Sequence, residues 1–140
     1  MSPAKKAILN ILITQNRVMD KFNEILKPFD ISSEQFNVLR ILRGQKGNPS
    51  NMCLIQENMI AKTSNTTRLV DKLLLKELVT REVCFKNRRK IEVSITQIGL
   101  NLLIKLDPIV IQYENSFAGN LNEDELSQFN NLIEKYRNSN

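Results

Sequence analysis

Apolar residues recur at spacings of three and four near the start of the chain: Ile8, Leu9, Leu12, Val18, Met19, Phe22, Ile25 and Leu26. This spacing predicts an amphipathic helix from about residue 4 to Lys27, stopped near Pro28. Ser32 or Ser33 then caps a second helix with Phe36, Leu39, Ile41 and Leu42 inward, ended by Gly44, Gly47 and Pro49. Leu54, Ile55, Met59 and Ile60 predict a short helix over roughly 52–60. The next helix is expected to be capped by Thr63 or Ser64 and to reach about Lys76. Leu69, Val70, Leu73 and Leu74 form its inward stripe, while Asn65, Arg68, Asp71 and Lys72 project elsewhere.

The period then shortens to two. Residues 79–85 and 91–96 read as strands, with Val83 and Phe85 alternating in the first and Ile91, Val93 and Ile95 in the second. Between them lies the basic turn Lys86-Asn87-Arg88-Arg89-Lys90. Thr96 caps a long helix past Leu100, Leu103, Ile104 and Leu106, which Pro108 is expected to kink or interrupt. A last helix begins after Asn122, where Glu123, Asp124 and Glu125 suit the positive end of its dipole. Leu126, Phe129, Leu132, Ile133 and Tyr136 give it one apolar face.

Charge sharpens this picture. Nine Lys/Arg and three Asp/Glu fall between Lys62 and Lys90, a local net charge of +6, against +5 for all 140 residues. A nearly neutral protein with one basic helix–hairpin unit is built to grip a polyanion, and nucleic acid is the obvious one.

Other chemistries are poorly supplied. The chain has no histidine, and its two cysteines, Cys53 and Cys84, are too few for a zinc site or a disulfide scaffold. It has no Gly-rich phosphate loop, no nucleophile motif and no defensible carboxylate pair, so an enzyme is not expected, nor is a cofactor. The N-terminal apolar run is short, contains Asn10 and lacks a cleavage site, and nothing approaches the roughly 18 apolar residues of a membrane helix. The expected location is cytoplasmic, where the sequon Asn65-Thr66-Thr67 has no meaning. The first and last helices carry apolar stripes remote from the central core, and homodimerisation through the chain ends is the economical way to cover them.

Helix, turn, capped helix and basic hairpin in that order is a winged helix-turn-helix. The chain resembles the MarR family of bacterial transcription regulators over essentially its whole length. The resemblance rests on residues 64–73, Ser-Asn-Thr-Thr-Arg-Leu-Val-Asp-Lys-Leu, similar to the family's recognition helix. It continues through Leu78-Val79-Thr80-Arg81, the wing Asn87-Arg88-Arg89 and Thr96-Gln97-Ile98-Gly99. Asn87 stands where the family usually has Asp, and Glu77 where it commonly has Gly after the recognition helix.

The expected fold is therefore mainly α with a small β-hairpin in one 140-residue domain. Residues 31–96 form a winged helix-turn-helix lobe for DNA, and 1–30 with 97–140 form a helical dimerisation region. Arg89, with Arg88, is the expected minor-groove contact, and Lys86 and Lys90 the expected phosphate contacts. Ser64, Asn65, Thr66 and Arg68 are the candidates for base edges. Their bland alternatives are a cap for Ser64, a phosphate contact for Thr66 and an ion pair with Asp71 for Arg68. Lys62, Arg40 and Arg43 fit backbone contacts or a solvated surface equally well.

The resemblance also implies a small aromatic or anionic effector between the dimerisation helices and the lobe, with Gln15, Met19, Phe22, Phe36 and Arg40 as candidate lining. Each of these taken singly also reads as core. Cys53 and Cys84 read as packing residues rather than redox sensors. The expected function is a homodimeric, sequence-specific regulator, a repressor on a pseudo-palindromic operator. An architectural nucleic-acid binder and a winged-helix protein-interaction module are the alternatives.

Overall fold

Each α-helix opens on a Ser, Thr or Asn whose side-chain oxygen accepts the backbone N–H three residues on. These caps satisfy donors that a helix start leaves orphaned, at about 1 kcal/mol each. In the computed structural model, which describes residues 1–138, the order is α1 (Pro3–Leu26), a 3-10 turn (Lys27–Phe29), α2 (Ser33–Gly44), β1 (Ser50–Asn51), α3 (Met52–Asn58), α4 (Thr66–Leu75), β2 (Val79–Val83), β3 (Ile91–Ile95), α5 (Gln97–Ala118) and α6 (Glu123–Arg137). The last two residues of the 97–140 segment lie outside the described residues.

Two expectations are corrected, the cap of α4 and the interruption at Pro108, and the expected hairpin gains a third strand. The cap of α4 is Asn65, whose Oδ1 accepts from the Arg68 N–H at 3.1 Å; Ser64 Oγ is instead buried without a partner among the described residues. The hairpin is part of a three-stranded antiparallel sheet in the order β1-β3-β2, because Ser50 and Asn51 pair with Val93 and Glu92. Helix α5 runs unbroken through Pro108 to Ala118.

The fully buried core draws on Leu26, Leu39, Leu42, Ile55, Met59, Val70, Leu73, Val93, Leu103 and Leu106. It sits where α2, α4, the sheet and the first half of α5 meet. The long end helices contribute little to it: α1 buries only Leu26, and α6 buries nothing. Ile8, Leu12 and Ile13 on α1, Ile104 and Ile111 on α5, and Phe129 and Leu132 on α6 are exposed.

Candidate nucleic-acid interface

Helix α4 is held at its start by one side chain of α3. Gln56 donates through Nε2 to the Lys62 carbonyl (2.6 Å) and accepts the Thr66 hydroxyl through Oε1. Thr66 is therefore only 5% exposed. It faces inward and braces the turn, where the sequence offered it as a DNA contact. Lys62 Nζ folds back onto the Glu57 carbonyl at the end of α3.

The end of α4 is a Schellman stop. Leu78 N–H bonds to Leu73 O (3.1 Å) and Glu77 N–H to Leu74 O (3.0 Å), with Glu77 at φ 60°. This left-handed position is the one glycine fills best. Thr96 then locks the stop to α5: its hydroxyl donates to Glu77 O (2.8 Å) and accepts from Gly99 N–H (3.1 Å). A Cβ at Gly99 would lie 2.4 Å from Leu78 O, so only glycine allows this close approach.

With both ends fixed, Leu69, Val70 and Leu73 turn inward, and Thr67, Arg68, Asp71, Lys72 and Leu75 face solvent. The Arg68 guanidinium has no partner among the described residues. The Asp71 carboxylate is taken by Arg81 of β2, at 2.6 Å. Sequence reasoning gave no role to Thr67 or Lys72; the positions complementary to the Leu69/Val70/Leu73 stripe are the signal that identifies them.

The wing tip is shaped by Asn87. Its Oδ1 accepts Arg89 N–H (3.1 Å), and its carbonyl accepts Lys90 N–H (2.9 Å). A local turn of this type needs the side-chain oxygen, not a charge. Lys86, Arg88, Arg89 and Lys90 are all exposed.

A second feature lies between this lobe and the long helices. An open-sided cavity of about 710 Å³ is bordered by Gln15, Met19, Phe22, Phe36 and Arg40, all five of the candidate lining residues, and by Tyr113 of α5. Phe22 meets Phe36 edge-on at 5.3 Å and stacks on Tyr113 at 5.1 Å. Tyr113 donates to the Val18 carbonyl (2.8 Å). Burial raises its pKa, with the neighbouring Glu114 charge adding to the effect. Asn37, on the cavity wall and 6% exposed, accepts Ile60 N–H (2.9 Å), yet its Nδ2 has no partner among the described residues. Arg43 is bound to Asp107 across the same cavity. Tyr113, Asn37 and Asp107 escaped the sequence reading because nothing local marks them.

An externally faced helix beside a cationic hairpin, both carried on a small helical core, defines a winged helix-turn-helix protein. The chain belongs to the MarR family of transcription regulators, and it is not an enzyme. Residues 31–91 match that family. A MarR transcription factor from Planctomyces limnophilus is 33% identical, with 96% of this chain and 97% of that one covered and a TM-score of 0.75. Two more distant structures share the fold. MepR from S. aureus, solved in complex with DNA, is 24% identical over 96% of this chain and 97% of that one (TM-score 0.83). BpsR from Bordetella bronchiseptica, whose DNA binding is regulated by 6-hydroxynicotinic acid, is 19% identical over 100% and 99% (TM-score 0.86). No described helix is long and apolar enough to cross a membrane.

Proposed function

We propose that this protein is a homodimeric, sequence-specific repressor that binds a pseudo-palindromic operator and is released by a small aromatic or anionic ligand. The observation that carries the reading is the pairing of the solvent-facing side of α4 with the four-cation wing tip. Arg68 and its neighbours Thr67 and Lys72 address the major groove, while Arg88 and Arg89 reach the minor groove. Lys86 and Lys90 hold phosphates. Asn65 contributes through its amide Nδ2, since its Oδ1 is used as the cap.

Residues 31–96 act as the DNA lobe. The exposed apolar faces of α1, α5 and α6 pair with a second copy, placing two recognition helices about 34 Å apart, one turn of B-DNA. The cavity between lobe and long helices takes the effector. Arg40 offers it a cation, Asn37 Nδ2 a buried donor, and Phe22, Phe36 and Tyr113 aromatic faces. Such a ligand acts only through a difference in affinity between the DNA-competent and released states.

Fluorescence anisotropy tests the reading. The duplex is the intergenic DNA preceding the protein's own coding sequence, compared with a scrambled duplex over a salt series. The expected result is tight binding to the native duplex alone, two chains per site, weakened by about 1–3 kcal/mol in Arg89→Ala. Equal, steeply salt-dependent binding to both duplexes supports an architectural binder instead, and no binding to either supports a protein-interaction module.

A further inference from the structure

The wing has two unlike faces. Arg81, Val83 and Ile91 share one face with the buried Val79 and Val93, because Arg81 pairs with Val93 and Val83 with Ile91 across the ladder. The Arg81–Asp71 ion pair shows that this face turns toward α4. The opposite face carries Thr80, Ser94 and the directly opposed acids Glu82 and Glu92.

On the α4 side the apolar strip does not end where the core ends. Val83 and Ile91 remain exposed, and Phe85, in the bend that follows the end of β2 at Val83, is 98% exposed. A fully solvated phenylalanine one residue from a cluster of four cations is costly unless something covers it. The cations select a polyanion as that occupant, and the Glu82–Glu92 pair repels a polyanion from the other face. A DNA strand running from the groove faced by α4 to the groove entered by the wing tip crosses the space between them. Its deoxyribose rings are the apolar surface it presents there.

We propose that Phe85, two residues beyond the end of β2 at Val83, packs against deoxyribose of the DNA strand between the two grooves and supplies a salt-insensitive part of the affinity. This rests on the reading that the wing engages duplex DNA. The contact carries no charge, so it releases no counterions and leaves the salt slope alone. It also touches sugar rather than base edges, so it serves specific and non-specific duplexes alike.

The chain contains no tryptophan, so Phe85→Trp installs a single reporter at a position whose side chain supports nothing in the fold. Its emission is recorded as the upstream duplex, and separately the scrambled duplex at low salt, is added. The expected result is a blue shift and a change in intensity with both duplexes. In parallel, Phe85→Ala weakens binding about tenfold with an unchanged salt slope, while Arg89→Ala weakens binding and lowers the slope by about one. Unmoved emission from Phe85→Trp together with unchanged affinity of Phe85→Ala, while Arg89→Ala still loses affinity, overturns the sugar contact and leaves the proposed function standing. That pattern leaves Phe85 outside the DNA interface. If Arg89→Ala is also silent, the wing does not engage DNA and both readings fall.

Discussion

Arg43 grips Asp107 through two parallel bonds, Nη1 to Oδ2 at 2.9 Å and Nη2 to Oδ1 at 3.0 Å. The pair ties α2 to α5 across the open cavity. Both side chains are partly solvated, so its coupling is expected to be modest, about 0.5–1 kcal/mol despite the bidentate geometry. A double-mutant cycle of Arg43→Ala and Asp107→Ala, read by urea unfolding, checks this. The coupling should shrink at high salt. An anionic ligand in the cavity competes for Arg43, so it should lower the measured coupling further.

Glu77 holds a left-handed backbone conformation at φ 60° without the glycine that usually relieves it. Glu77→Gly removes about 1 kcal/mol of strain and adds unfolded-state entropy of similar or smaller size. The expected outcome is a variant between neutral and about 1 kcal/mol more stable. A clear fall in Tm would show that the Glu77 side chain stabilises the fold in some other way.

The Tyr113 phenol ionises above its ordinary value of 10.0, chiefly because burial disfavours the phenolate and secondly because Glu114 is near. Its neutral form is therefore favoured in the fold. The resulting stability is fully present below about pH 10 and is lost as pH rises through the folded pKa. Tyr113→Phe removes the bond to Val18 O and should cost about 1 kcal/mol at neutral pH. The gap between wild type and variant should stay flat to about pH 9 and narrow above about pH 10. In an absorbance titration, the phenol signal that Tyr113→Phe removes should be one that ionises above pH 10.

Leu132 is 65% exposed on α6, a helix with no buried residue. Leu132→Glu should leave the protomer folded and abolish dimers in sedimentation velocity at micromolar concentration. A variant that stays dimeric places the interface on other faces of the long helices. Far-UV circular dichroism separates either outcome from unfolding.

Much of this was legible in the sequence because helices announce themselves by period. The stripes of α1, α2, α4 and α6 fall where the apolar spacing put them, and Ser32, Thr96 and Asn122 cap as expected. What escaped was set by distant partners. Ser64 looks as good a cap as Asn65 until Gln56 arrives from α3 to hold the turn. The two-residue β1 has no pattern of its own and exists only because β3 lies beside it. Val83, Phe85 and Ile91 alternate like a strand half-buried in a core, yet the wing extends past the core and leaves them wet. The cavity was half visible: Phe22 and Phe36 come from elements near in sequence, whereas Tyr113 joins them only through the packing of α5 on α1.

Between the stop of α4 and the first residue of β2 lie only Lys76, Glu77 and Leu78. Removing or adding one residue there would reverse the parity of the hairpin. Arg81 would swing away from Asp71, and the acids Glu82 and Glu92 would be turned toward α4. Along a lineage, the length of this connection is therefore held as tightly as the left-handed turn at Glu77 and the buried Leu78, and an insertion or deletion of a single codon would invert which side of the hairpin faces α4.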